Sequence, residues 1–200
     1  LQEGGIPLVF FDRIAPGINA DQVIIDDIEA SYDATRHLIE NGCKRIAHFA
    51  GPQSLLIGRN RVQGYINALT EAGLPVDTRL IIQADTFEKA RNTVGQMLDS
   101  GTIPDGIFAV NDMTAIGAMQ TIQKRGLRIP EDVSIVGFSD GYLSGVTDPH
   151  LSSVDQHGYE MGTMAAEMLF KRILSDETEY IPEIKTLKAN LIVRGSSQKE

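Results

Sequence analysis

The chain has 200 residues, 42% hydrophobic and 22% charged, the ordinary balance of a soluble globular protein with room for one large domain or two lobes. Its formal net charge of -9 argues against direct DNA binding by these residues, because nucleic-acid affinity rests largely on cationic contacts to phosphates. A lone cysteine, Cys43, excludes an intrachain disulfide and a cysteine metal cluster, and suits a reducing cytosol.

The opening, LQEGGIPLVFFDR, has neither a basic leader nor a long apolar core, so it does not read as a secretory signal. Within it, residues 6–11 (IPLVFF) form a compact apolar run that predicts a strand. Residues 27–41 predict a helix, with Ile28, Ala34, Leu38 and Ile39 on one face and Asn41-Gly42 as the stop. RIAHFA (45–50) predicts a strand, and a helix follows from about Gly58 to Ala72, its end placed for a left-handed Gly73. The cycle repeats with a strand at 79–83, a helix marked by Phe87, Ala90, Val94, Met97 and Leu98, and a strand at 106–110. A helix from Met113 to Arg125 and a strand at 133–138 continue it. Strands alternating with helices of this length imply a parallel, doubly wound α/β sheet. After Phe138 comes a loop rich in Gly and Ser, a short strand at 151–154, a helix at about 159–174 and an extended stretch over 183–195. No apolar run approaches the roughly 18 residues of a membrane span. The strand at 6–11 stands alone, so the front of a two-lobed protein is expected to lie outside this chain.

Ligands of open α/β sheets sit beyond the carboxyl ends of the strands. There the sequence places Asp12-Arg13, Arg59 and Arg61, Asn111-Asp112, Ser139-Asp140 and Asp155-Gln156-His157. These planar, hydrogen-bonding ends suit a polyhydroxylated or heterocyclic ligand. Each also has a plainer reading. Asp112 is placed to cap the next helix, Asp12 could pair with Arg13, and Gln156 could be a simple loop residue. Arg59 and Arg61 fall in the expected first turn of a helix, where the macrodipole disfavours cations. A carboxylate or ligand would compensate them, or solvent would. His37 and His48 read as packed, hydrogen-bonded side chains. No His or Cys spacing suits a metal, and no cofactor is expected. Gly137-Phe138-Ser139-Asp140-Gly141 fits G-x-S-x-G, with His150 and His157 downstream, so a hydrolase using Ser139 is one alternative. Such an elbow must run straight into a helix, and the residues after Ser139 carry no apolar stripe.

Along almost its whole length the chain resembles the effector-binding domain of the lactose- and galactose-repressor (LacI/GalR) family. The resemblance is carried by IPLVFFDR (6–13), GCKRIAHFAGP (42–52), GRNRVQGYINAL (58–69) and PDGIFAVNDMTAIGAMQTIQKRGLRIPEDVSIVGFSD (104–140). LSSVDQ (151–156), MGTMAAEMLFKRI (161–173) and LIVRGS (191–196) continue it. It implies a periplasmic-binding-protein-like fold of two doubly wound parallel-sheet lobes, the N-terminal one incomplete. Residues 1–25 and 156–183 would belong to that lobe, and 26–155 and 184–200 to the other. It further implies that Asp12, Arg61, Asn111 and Gln156 contact the effector. Arg13, Arg59, Ser139 and Asp140 complete the candidate set. Ser139 stands where the family often has an acid, and the family's aromatic wall falls at Thr86 or Phe87. The expected function is sensing of a sugar-like or nucleoside-like effector in a cytoplasmic transcriptional regulator, not catalysis. DNA would be bound only through a headpiece absent from this chain, a membrane not at all, and the full-length protein would be a homodimer. On this reading Arg61→Ala abolishes effector binding and moves thermal unfolding by only a few degrees. A periplasmic sugar-binding protein of a transport system is the other alternative.

Overall fold

The computed structural model describes residues 6–14, 17–175 and 181–199. The chain divides into two compact units, residues 1–26 with 156–189 and residues 27–155 with 190–200.

The first unit is a three-stranded parallel sheet in the order β1 (Val9–Phe11), β2 (Asp21–Ile25), β8 (Ile184–Leu187), with helix α5 (Gly158–Leu174) packed on β1 and β2. Met161, Ala165 and Met168 recur at i, i+4 and i+7, so one stripe of α5 is buried. Asp21 is buried and holds the unit together. Arg172 near the end of α5 grips its carboxylate with Nε at 2.7 Å and a terminal nitrogen at 2.9 Å, and the Glu183 backbone N–H donates to it at 2.7 Å. Strand β2 was not visible in the sequence pattern. Asp21 and Gln22 interrupt its apolar character, and only Val23–Ile25 remain as a signal. The strand at 6–11 is therefore not alone.

The second unit is a six-stranded sheet in the order β4 (Ile81–Gln83), β3 (Ile46–Ala50), β5 (Gly106–Ala109), β6 (Ser134–Ser139), β7 (Ser152–Asp155), β9 (Asn190–Ile192). Its strands are parallel except β9, which runs antiparallel to β7. Helices α1 (Asp27–Glu40) and α2 (Leu56–Glu71) pack together, as do α3 (Phe87–Asp99) and α4 (Asp112–Lys124). The core beneath α3 and α4 gathers Phe49, Val94, Ile107, Ala109, Ala115, Met119, Ile122 and Ile135. On the opposite pleat His48 stacks on Phe108 of β5 and on Tyr65 of α2. Strands covered by helices on both faces read as continuous apolar runs, which is why the sequence marked them well.

Close helix packing needs Gly64. A Cβ there would lie 2.3 Å from the Ile28 carbonyl oxygen and 2.8 Å from the Tyr32 nitrogen. Helix α2 ends as expected at a left-handed Gly73, φ 68°, with the Leu74 N–H reaching back to the Leu69 carbonyl. Three segments differ from the sequence pattern. Helix α2 begins at Leu56, residues 79–83 split into a short 3-10 turn and β4, and the stretch 183–195 divides between β8 and β9. Because β8 pairs with β2, residues 184–187 stand in the first unit rather than with the larger lobe. Among the described residues no helix is long and apolar enough to cross a membrane.

Candidate functional site at the carboxyl edge of the six-stranded sheet

The turn from β3 into α2 sets the first part of the edge. Leu55 occupies the N-cap without a side-chain hydrogen bond, and the first turn of α2 has no acid. The Arg59 guanidinium takes up the slack by donating to the carbonyls of Gln53 at 2.9 Å and Ser54 at 3.2 Å. Arg59 is an exposed brace for this loop. Gly58 permits the tight return, since a Cβ would sit 2.3 Å from the Pro52 carbonyl oxygen.

Arg61 lies in the second turn rather than the first, and it is 3% exposed. Its Nε donates to Asp27 Oδ1 at 2.8 Å and a terminal nitrogen donates to the Val110 carbonyl at 2.6 Å. The guanidinium carbon stands 3.5 Å from the centre of the Phe138 ring, a cation–π contact. Arg61 is thereby fixed at the carboxyl ends of β5 and β6. A buried charge needs such partners, since an unpaired one costs several kcal/mol. Asp27 lies 34 positions away in the sequence. Nothing local in the sequence marks it, because the pair exists only once α1 and α2 pack.

Beside Val110, Asn111 rather than Asp112 is the N-cap of α4. Its Oδ1 accepts from Thr114 N–H at 2.9 Å, and its amide donates to the Asp85 carbonyl at 3.1 Å. The expectation that Asp112 caps is corrected: Asp112 turns inward and is buried. It accepts from Gly141 N–H at 2.8 Å and from the hydroxyls of Ser144 and Ser153. Burial raises its pKa, and these three donors act against that rise.

Strand β6 ends in strain. Ser139 has φ 109° and Asp140 φ 49°, both in the left-handed region that non-glycine residues avoid. The Asp140 carboxylate is engaged from both oxygens by Arg194, at 2.6 and 2.9 Å, and its N–H donates to Ser153 Oγ. After Ser139 the chain enters a four-residue 3-10 turn, Tyr142–Gly145, and no α-helix follows. The G-x-S-x-G string therefore lacks the helix that would form an oxyanion hole.

His48 lies inside the same face, fully buried between Phe108, ring centres 4.6 Å apart, and Tyr65, 5.5 Å. Its Nδ1 donates to the Phe108 carbonyl at 3.0 Å, and Nε2 has no hydrogen-bond partner. Burial pushes its pKa down to about 4; the Phe108 bond opposes this and the Arg61 charge adds to it. His37 bonds the Ser197 hydroxyl at 2.7 Å, and Cys43 is buried with its thiol on the Asp105 carbonyl at 3.3 Å.

Of the eight candidates, Arg61, Asn111, Ser139 and Asp140 come together at one edge of the second unit, with Arg59 bracing the loop before α2. The other three lie in the first unit. Asp12 ends β1 with φ 59° and donates its N–H to the Val23 carbonyl. Arg13 is exposed, with Nε only within 4.0 Å of Asp12. Gln156 follows Asp155, which is paired with Ser139 across β6 and β7, and its Oε1 is buried without a hydrogen-bond partner. A shallow cavity of about 450 Å3 lies at the opposite, amino-terminal edge, lined by Gln123, Leu127, Arg128, Ile129 and Pro149.

Residues 35–197 match the family described as periplasmic binding protein-like domain. The chain is 34% identical over 193 residues to the HTH-type transcriptional repressor CytR of Escherichia coli strain K12, covering 96% of this chain and 56% of that protein. It thus spans little more than half the length of that relative. A solved complex of the transcriptional regulator CelR with cellobiose superposes with a TM-score of 0.88 at 35% identity, over 97% of this chain and 60% of that one. A regulatory protein of the LacI family from Chloroflexus aggregans gives 0.86 at 34% identity, over 98% and 70%.

Proposed function

The chain belongs to the periplasmic binding protein-like family, among regulators of the LacI type, and from that premise we propose that it senses a small polar effector for a cytoplasmic transcriptional regulator. The observation that carries this reading is Arg61, a buried guanidinium immobilised by Asp27, the Val110 carbonyl and Phe138 at a sheet edge shared with Asn111 and Ser139. Its rigid fork of donors is the chemistry that holds vicinal hydroxyls or heteroatoms. Left-handed φ values at Asp12, Ser139 and Asp140 support it, because backbone strain of this kind clusters at binding sites. The effector is sugar-like or nucleoside-like, and CelR, a relative with cellobiose bound, is an example of the class.

DNA is read by a part of the regulator outside this chain, in keeping with the net charge of -9 here. The regulator works as a homodimer. Met113, Tyr142, Leu143 and Val146 of the second unit are exposed apolar side chains, and the Asp112 bonds to Gly141 and Ser144 hold the start of α4 beside the turn that carries the last three. Such a patch fits a subunit contact.

The test is calorimetry of the full-length protein with a panel of neutral sugars and nucleosides, repeated on Arg61→Lys. Lysine keeps the charge beside Asp27 and loses the planar fork. The expected result is at least a tenfold loss of affinity with folding intact; unchanged affinity refutes the role given to Arg61.

A further inference from the structure

We infer that Asp27 is a specificity-determining residue: by neutralising Arg61 it restricts the effector to an uncharged compound and excludes phosphorylated or carboxylated relatives of it. This rests on the proposed sensing role of Arg61.

An arginine at a ligand edge is ordinarily an anion receptor, because its fork matches carboxylate and phosphate geometry. Here that appetite is met from within. Arg61 Nε already holds the Asp27 carboxylate at 2.8 Å, with the side chains only 4% and 10% exposed. A second anion would have to approach a guanidinium whose charge is cancelled in a poorly screened setting, where Coulomb terms are large. The rest of the edge repeats the pattern. Arg194, the next cation, is engaged from both oxygens by Asp140, and it also lies in the fields of Asp112 and Asp155. Asp112 is buried among three hydrogen-bond donors. Arg61 and Arg194 are thus each matched by a carboxylate, and Asp112 and Asp155 add acid around Arg194. Arg59 is turned onto loop carbonyls and is exposed, so water screens it. An anionic effector meets repulsion at this edge, whereas hydroxyls and ring heteroatoms find fixed, uncharged hydrogen-bonding groups at Asn111 and Ser139. Rejection of a competitor by like charge is one of the two routes to specificity, beside added contacts to the preferred ligand.

The experiment uses thermal shift at constant ionic strength on the wild type, Asp27→Asn, and Asp27→Asn/Arg61→Met, with two sets of probes. Inorganic sulfate reports directly on an anion-receptive Arg61. Ribose with ribose 5-phosphate, glucose with glucose 6-phosphate, and adenosine with its 5′-monophosphate report on charge preference. Sulfate is expected to bind Asp27→Asn at least tenfold more tightly than the wild type and to lose that gain in the double variant. In the wild type, a neutral probe that binds is expected to exceed its phosphorylated partner at least tenfold, and Asp27→Asn is expected to shrink that ratio at least tenfold. Equal sulfate responses in all three proteins overturn the inference. So does a wild-type protein that takes a phosphorylated probe as tightly as its neutral partner, a comparison that stands even if Asp27→Asn fails to fold. Silence of every sugar and nucleoside, with sulfate still selective for Asp27→Asn, sinks the sensing role and leaves the charge assignment standing.

Discussion

Acidification should destabilise the second unit, with His48 as the main contributor. Folded, its pKa is about 4, held there first by burial between Phe108 and Tyr65; unfolded, a histidine titrates near 6.5. Above pH 6.5 the ring is neutral in both states and its contribution is constant. As pH falls from 6.5 towards 4 the unfolded chain takes up a proton that the folded one refuses, so stability is lost across that window. Each unit of the gap is worth about 1.4 kcal/mol, so the loss is about 2 kcal/mol by pH 5 and about 3 kcal/mol by pH 4. Two other groups, half-buried His37 and buried Asp112, have shifted pKa values. His37, also lowered by burial, acts in the same direction, and Asp112, raised by burial, acts in the opposite one at the acid end. Both remain in a His48→Phe variant, which keeps an aromatic ring in the stack and removes the titration. Urea unfolding followed by circular dichroism at pH 7, 6 and 5 isolates His48 as the difference between the two proteins. The wild type should lose about 2 kcal/mol more than His48→Phe between pH 7 and 5. Parallel profiles, or a His48 ring resonance titrating near 6.5 in the folded protein, would refute the reasoning.

Four further outcomes follow from packing, backbone strain and pairing. Gly64→Ala should destabilise by about 2 kcal/mol, because its methyl meets backbone of α1 rather than a movable side chain. Gly95→Ala in α3, with nothing within 4 Å of the added methyl, should stabilise by about 1 kcal/mol; equal effects at the two sites in chemical denaturation would show the close approach to be wrong. Ser139→Gly should raise stability by about 1 kcal/mol by relieving φ 109°, read as a higher melting temperature. Arg61→Ala should cost about 3–5 kcal/mol, since it removes the arginine paired with the buried Asp27 carboxylate. That replaces the sequence-based expectation of a shift of a few degrees, and a melting temperature within two or three degrees of wild type would restore it.

The buried strands and most of the helices were legible because both are written in local periodicity. His48 and Phe49 sit in an unbroken apolar run, and Val62, Tyr65, Ile66 and Leu69 repeat at helical spacing. Strand β2 was illegible because its first residue, Asp21, is a buried acid whose partner, Arg172, lies 151 positions on. The candidate site divides the same way. Strand ends announce themselves as polar residues after apolar runs, so Arg61, Asn111, Ser139 and Asp140 could be found. Their partners could not, because Asp27 and Arg194 gain meaning only from tertiary packing. The Asn111–Asp112 pair shows the limit of local rules: either residue can cap a helix, and Ser144 and Ser153 waiting inside the fold decide which one turns outward.

The pairs themselves explain why the edge can be polar and still be folded. Asp27, Arg61, Asp112, Asp140 and Arg194 each have partners within the unit, so none of the five is buried at full desolvation cost. Asp27 and Asp140 are thereby structural, and removing either takes away an arginine's carboxylate partner. The same pairing fixes side-chain geometry before any ligand arrives, which reduces the ordering a ligand must impose. What is left adjustable is the neutral chemistry of Asn111 and Ser139. Ser139 carries the greatest backbone strain of the set, so changing it should alter which effector fits at less cost in stability than changing any of the paired charges.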